Sequence, residues 1–205
     1  MSSVQARNLF RPLTFVVVII TIILLLTSGD RNGAPRDTMT TQESQSTGAA
    51  LANLAVRIRQ TSSSPPTLAL SVTNYHEVPL TILRWKTPLD PLAIQLGLVS
   101  ITPEGKSEPI ELPTIELRRV MPPPQNDLVT LQPGESREQE VVLKEPIVPL
   151  DQLGKTARVV VKGNWGTVWP TTVDKLSKET IEKLQFGEGV LTGEFESQAA
   201  DLVLE

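Results

Sequence analysis

The sequence predicts an all-β sandwich with one short helix over residues 49–205. Three observations support this fold class: apolar residues recur at every second position, the runs that carry them are short, and proline or glycine turns separate neighbouring runs. Each run offers one apolar face, and two sheets can bury such faces against each other. A stretch of this length can bury a sizeable core without disulfides.

The first half of this body contains six apolar runs, which we predict to be strands. A proline-containing break at 62–66 and a polar turn at 74–77 separate the earliest of them. The runs lie at 54–58, 68–72, 80–85, 96–102, 108–112 and 114–120.

The second half contains a turn whose residues favour a hairpin. Runs at 128–131 and 137–143 flank the turn at 132–135 (sequence QPGE), in which proline and glycine suit a tight change of direction. Short strands separated by frequent turns are typical of an immunoglobulin-like sandwich, which is the type of fold we expect here. Further strands are predicted at 156–162, 191–196 and 199–204.

Side-chain spacing makes two local predictions. In the valine-rich run, Val159 and Val161 share one face of a strand, and the valine between them takes the other. Residues 172–185 instead space their apolar side chains as a helix does, and Glu179 and Lys183 stand four residues apart, the spacing of a favourable ion pair. We therefore predict a short helix over that stretch.

The composition excludes several kinds of site. The chain has no cysteine and one histidine, His76, so disulfides, thiolate zinc sites and, within one chain, two-histidine metal sites are excluded. Glu77 and Asp90 are a conceivable carboxylate pair, but nothing in their spacing brings them together. We predict a protein that is not an enzyme and has neither metal nor cofactor, with His76 in a surface turn.

The charge distribution argues against nucleic acid as a partner. Removing Arg7 and Arg11 from the totals of 19 basic and 23 acidic residues leaves 17 and 23, a net charge of −6 for the rest of the chain. Phosphate binding needs clustered lysine and arginine, and an acidic body lacks such clusters. The one basic doublet of the body, Arg118-Arg119, lies in a strand-like run and is predicted to form a solvated strand edge.

The amino-terminal part predicts entry into the secretory pathway. Residues 12–29 form an uncharged run of 18 residues, rich in Leu, Ile and Val, which follows Arg7 and Arg11. As a helix this run would be about 27 Å long, which matches the hydrocarbon thickness of the endoplasmic reticulum bilayer. It suits a transmembrane signal-anchor or a cleaved signal peptide, and its density of large aliphatic residues favours the anchor.

Either interpretation places the body on the lumenal or extracellular side. An anchor gives a single-pass protein that contacts the membrane through its amino-terminal helix, with residues 1–11 as a cytosolic tail, whereas cleavage gives a secreted protein. Residues 30–48 are rich in Ser and Thr and hold one large apolar residue, Met39, so we predict a disordered stalk. The sandwich domain then spans 49–205.

Large aromatic residues offer a possible binding surface. The candidates are Tyr75, Trp85, Trp165 and Trp169. Tryptophans of a sandwich can pack in its core or cover one end of it, and they can also form a strip that recognises a sugar or a peptide. The sequence leaves these alternatives open.

Three segments resemble the amino-terminal β-domain of deuterolysin-type fungal metalloendopeptidases. They are LALSVTNYHEVPLTILRWKTPLDPLA (68–93), LVTLQPGESREQEVVL (128–143) and LGKTARVVVKGNWGTVW (153–169). The chain is also similar to uncharacterised fungal secretory proteins that carry this domain by itself. The resemblance implies a β-domain that belongs to the fungal secretory pathway.

The resemblance does not extend to the catalytic part of that family. Those peptidases bind zinc through a His-Glu-x-x-His helix. Here His76-Glu77 is followed by Val78, Pro79 and Leu80, so the second histidine is missing and the proline is incompatible with a helix interior. Neither the zinc nor the peptidase activity is implied for this chain.

These observations leave two hypotheses for function. The first is a non-catalytic β-sandwich, membrane-tethered or secreted, that binds a protein or a cell-surface glycan. The alternative is a prodomain-like chaperone or inhibitor that acts in trans on a secreted metalloendopeptidase.

Overall fold

The computed structural model describes residues 51–205, which form nine strands and one short α-helix, α1 (Lys178–Lys183). The helices among these residues are all too short or too polar to span a bilayer. The predicted tail, membrane span and stalk at 1–11, 12–29 and 30–48 lie outside the described residues. The strands are β1 (Leu54–Ser63), β2 (Pro66–Asn74), β3 (Leu80–Leu83), β4 (Val99–Pro103), β5 (Leu128–Leu131), β6 (Ser136–Val142), β7 (Thr156–Trp169), β8 (Leu191–Glu196) and β9 (Ala200–Val203).

The strands form two antiparallel sheets that share one core. The smaller sheet has the order β1-β2-β6, and the larger has the order β4-β7-β3-β5, with β8 and β9 also paired to β7. Side chains of both sheets meet in a single apolar cluster. The mostly-β fold class with one short helix is confirmed, and the reason is that each alternating run has one face to bury.

The longest strand, β7, shows the alternation most clearly. Val159 and Val161 are fully buried, whereas Arg158 and Lys162 are exposed and Val160 is partly exposed. The predicted shared face of Val159 and Val161 therefore points into the core. This strand pairs with β4, β3, β8 and β9, so most of the larger sheet is organised around it.

The central strand of the smaller sheet, β2, is buried on both faces. Its inward face carries large aliphatic residues, whereas its outward face carries small ones such as Ala69 and Ser71. Arg59 on β1 and Glu138 on β6 form an ion pair of 3.3 Å between Nη2 and Oε2, and these two residues flank β2. Long charged side chains can cover a small-residue face in this way while their charged ends stay in water.

The predicted hairpin at 132–135 is wrong. β5 pairs with β3 in the larger sheet, whereas β6 pairs with β2 in the smaller one, so the turn between them crosses from one sheet to the other. Gly134 has a φ of +78° and donates its N–H to the carbonyl of Asn74 at 2.7 Å. The turn residues specify a change of direction, but they do not specify which strand becomes the next neighbour.

Several predicted element bounds also need correction. The runs at 108–112 and 114–120 are not strands, so the Arg118-Arg119 doublet does not lie on a strand edge. The predicted run 80–85 ends as a strand at Leu83, and the run 96–102 begins at Val99. In both places residues 84–98 form consecutive turns instead, which bury Leu89, Ala93 and Ile94 in the core.

The helix predicted at 172–185 is divided into three short pieces. One-turn 3₁₀ helices at Val173–Lys175 and Leu184–Phe186 flank α1, whose first turn is capped by the Ser177 hydroxyl. The predicted Glu179–Lys183 pair is confirmed, with 2.7 Å between Oε1 and Nζ. This hydrogen-bonded pair lowers the pKa of Glu179 and raises that of Lys183.

Candidate functional site

A cleft of about 330 Å³ lies between the loop 84–98, the loop before β5, strand β7 and the turn after α1. Its walls are mainly aliphatic, with Trp85 as the one aromatic residue, and polar groups stand among them. No carboxylate is among the lining residues of this cleft. The apolar lining consists of Leu83, Leu96, Leu98, Leu117, Leu184 and Trp85.

One buried carboxylate organises the loop that forms this wall. Asp90 is fully buried, and its Oδ2 accepts hydrogen bonds from the backbone N–H of Lys86 at 2.9 Å and from Nη2 of Arg119 at 2.6 Å. Its Oδ1 accepts from the N–H of Leu92 at 3.1 Å. A buried carboxylate needs several donors to offset its lost hydration, and here the loop backbone and one arginine provide them.

A second carboxylate fixes the tryptophan of the cleft. Asp127 accepts a hydrogen bond of 2.6 Å from Nε1 of Trp85, and Nε of Arg84 lies 2.9 Å from its Oδ1. The guanidinium of Arg119 lies over the Trp85 ring, 5.7 Å from the ring centre. The ring is thus held at its edge and on one face, so this wall is formed before any ligand arrives.

Two glycines shape the opposite wall on β7. Gly163 and Gly166 both line the cleft and have no side chains, so it is their backbone that faces the space. A Cβ at Gly163 would lie 2.8 Å from Cδ2 of Leu98 and 2.9 Å from Cζ of Phe195, which excludes a larger residue without rearrangement. A Cβ at Gly166 would meet no atom within 4 Å.

Comparison with known proteins assigns this fold to a family. A family model described as an immunoglobulin-like domain matches residues 53–204. The chain belongs to the immunoglobulin-like domain family. A fungal relative of this immunoglobulin-like domain protein, from Arthroderma benhamiae, is 30% identical over 141 residues, which cover 68% of this chain and 70% of the relative. That relative is named "Uncharacterized secreted protein".

These matches confirm the predicted immunoglobulin-like type of fold and the fungal relationship. Neither name describes a catalytic activity. The resemblance to the deuterolysin β-domain stays a prediction. Within residues 51–205 of the immunoglobulin-like domain, no group of three or more His, Cys, Asp or Glu side chains is placed to hold a metal ion.

The immunoglobulin-like domain does not bring the four predicted aromatic residues together. Trp165 and Trp169 are 1% and 2% exposed and lie in the core, where Trp165 packs on Phe195 with ring centres 4.7 Å apart. Of the two alternatives, core packing therefore holds for these two tryptophans, and their side chains are not exposed to a ligand. Trp85 is half-buried in the cleft, whereas Tyr75 is exposed elsewhere and accepts a hydrogen bond from Arg57 at 3.3 Å.

Sequence reasoning missed the charged residues behind the cleft of this immunoglobulin-like domain. Arg119 was expected to be a solvated residue of a strand edge, yet its side chain is 24% exposed and paired with Asp90. The sequence feature that could have indicated a buried carboxylate is the segment PLDPLA at 88–93, where one acidic residue stands between two Pro-Leu pairs. His76 lies in a turn, but its side chain is half-buried rather than on the surface, and its backbone N–H donates to Oδ1 of Asn74 at 2.9 Å.

Proposed function

We propose that this chain is a non-catalytic binding module of the fungal secretory pathway or cell surface, and that it binds a protein partner through the Trp85 cleft. The observation that carries this proposal is the preformed apolar cleft, whose aromatic wall is fixed from behind by Asp90, Asp127 and Arg119. Its volume of about 330 Å³ lies at the small end of the range of ligand pockets, which suits one large side chain.

The lining favours an apolar side chain of a protein over a sugar. Five of the lining residues are leucines, which give non-directional apolar contact and no hydrogen bonds. The cleft contains one tryptophan and no carboxylate to accept hydrogen bonds from sugar hydroxyls. An apolar anchor that enters a pocket is also the usual centre of a protein–protein contact.

The proposed location rests on the amino-terminal sequence and on the relative. The run at 12–29 has the features of a signal-anchor or a signal peptide, and the Arthroderma relative is named a secreted protein. We propose that the domain reaches the lumenal or extracellular side, either tethered or released. Protease added to sealed microsomes that carry the full-length chain should leave 51–205 intact until detergent is added, and digestion without detergent would contradict this location.

Filling the cleft provides the test of the binding site. Gly166→Phe introduces a large side chain beside the cleft at a position where a Cβ meets no neighbouring atom, so the fold is expected to persist. Loss of an anchor pocket usually costs at least about 2 kcal/mol of binding energy, which lowers affinity about thirtyfold or more. Proteins captured from culture medium by the full-length chain should therefore be lost with Gly166→Phe.

Arg158→Phe is the matched control, because it introduces the same side chain on an exposed position of the same strand. Position 158 is eight residues from Gly166, about 27 Å along an extended strand. Equal capture by both variants would contradict the Trp85 cleft as the binding site. A captured metalloendopeptidase that is lost only with Gly166→Phe would favour the alternative hypothesis of a trans-acting prodomain-like inhibitor or chaperone.

A further inference from the structure

The pairing of β7 leaves one gap along an edge of this strand. β8 and β9 lie along one edge, and between them the N–H of Ser197 donates to the carbonyl of Val161 at 2.8 Å, so that edge is almost continuously paired. β4 pairs with β7 up to Val161 along the other edge, and β3 pairs with Val168 and Trp169 there. No strand within residues 51–205 pairs with 163–167 along this second edge.

The gap coincides with the cleft. Gly163, Asn164, Gly166 and Thr167 all line it, and the two glycines can do so only with their backbone. The N–H of Lys162 donates to Leu98 at 2.9 Å, toward the β4 edge. Since polar backbone groups alternate between the two edges of a strand, the N–H and C=O of Asn164 point toward the same edge and thus into the gap.

The opposite wall of the cleft also has unpaired backbone. Within the part of the chain that the structure describes, the segment 116–121 makes no backbone–backbone hydrogen bond. Leu117 and Arg119 of this segment line the cleft, and Val120 and Met121 beside them are 79% and 49% exposed. An extended chain lying between 163–167 and 116–121 would find an ordered strand edge to pair with on the β7 side, whereas 116–121 is not a strand.

The charges around the cleft select the chemistry of that chain. Lys86 on the lining is exposed, and within 51–205 it has no ion-pair partner. Arg119 already has Asp90, and no carboxylate lines the cleft. The chain as a whole carries a net charge of −4, so a cleft lined by Lys86 and Arg119 and by no carboxylate is a local exception.

We infer that the cleft takes an extended acidic segment of a partner protein as an added strand. Its backbone pairs with Asn164, one apolar side chain enters the leucine-lined space, and a carboxylate faces Lys86. Addition of a strand to an open sheet edge is a general mode of peptide recognition, in which backbone hydrogen bonds give affinity and a side-chain pocket gives specificity. The inference rests on the proposed function of the cleft and adds the binding mode and the class of ligand.

Selection from a random heptapeptide library against the purified full-length chain tests the class of ligand. Enriched peptides should carry a large apolar residue with Asp or Glu within two positions of it, and Gly166→Phe should abolish their enrichment. Lys86→Glu should weaken this acidic preference, whereas Arg158→Glu, at a distant exposed position, should leave it unchanged. Enrichment of basic or uncharged peptides, or of segments of this chain itself, would overturn the inference of an acidic partner.

N-methylation of one enriched peptide tests the strand mode separately from the cleft. Because alternate amides of an added strand face β7, methylating those amides should lower affinity about tenfold each, the value of one lost hydrogen bond. Methylating the amides between them should have a smaller effect. A uniform effect, with binding still abolished by Gly166→Phe, would overturn the added strand and leave the proposed function standing, whereas binding indifferent to Gly166→Phe would overturn both.

Discussion

Val159→Asp and Val161→Asp should each unfold the immunoglobulin-like domain at room temperature, whereas Val160→Asp should be tolerated. Val159 and Val161 are fully buried in the shared core, and a carboxylate there would have no donor to offset its lost hydration. The penalty of an unpaired buried charge is on the order of 5 kcal/mol or more, close to the whole stability of an ordinary domain.

The matched control is the residue between them. Val160 is on the same strand and is paired with Ser100, but its side chain is on the outer face and partly exposed. Its replacement should cost about 1 kcal/mol, because the new carboxylate can reach water. Circular dichroism of the full-length chains at room temperature shows which variants stay folded, and chemical unfolding of those that do gives their loss of stability. Similar losses at all three positions would contradict the side-chain directions described for β7.

The strands were predictable from the sequence because their signal is local. Alternation in 156–162 depends only on neighbouring residues, and it correctly places Val159 and Val161 on the inner face. Trp165 is an even number of residues away from Val159 and Val161, so the same alternation, continued along the strand, would place it on the inner face as well. The longer reach of β7, to Trp169, was missed because the two glycines at 163 and 166 look like a break in the pattern.

Strand partners and the cleft were not predictable, because they depend on residues distant in sequence. The turn at 132–135 has the same chemistry whether it closes a hairpin or crosses between sheets. Asp90 and Arg119 are 29 residues apart, and they meet only because two loops pack together. Trp85 was a candidate site residue, but its setting in the cleft depends on Asp127, which is 42 residues away.

The ion pair behind the cleft is the second place where a single change should have a large effect. Asp90→Ala removes the carboxylate that accepts from Arg119 and from the N–H groups of Lys86 and Leu92. Three donors then lose their acceptor, and two of them belong to the backbone of a loop whose Asp90 is fully buried. Breaking a buried pair from one side costs about 3–5 kcal/mol, which we expect as the fall in the free energy of unfolding.

An exposed pair in the same domain provides the control for Asp90→Ala. Arg59 and Glu138 are separated by 3.3 Å, and their side chains are 63% and 49% exposed. Glu138→Ala should therefore cost less than about 1 kcal/mol, because solvent screens the pair and replaces it after the change. Raising the salt concentration should reduce the small effect of Glu138→Ala further, while the effect of Asp90→Ala should persist because the buried carboxylate is shielded from ions. If Asp90→Ala cost no more than Glu138→Ala, Asp90 would not hold the loop together. The wall of the cleft would then need another source of rigidity.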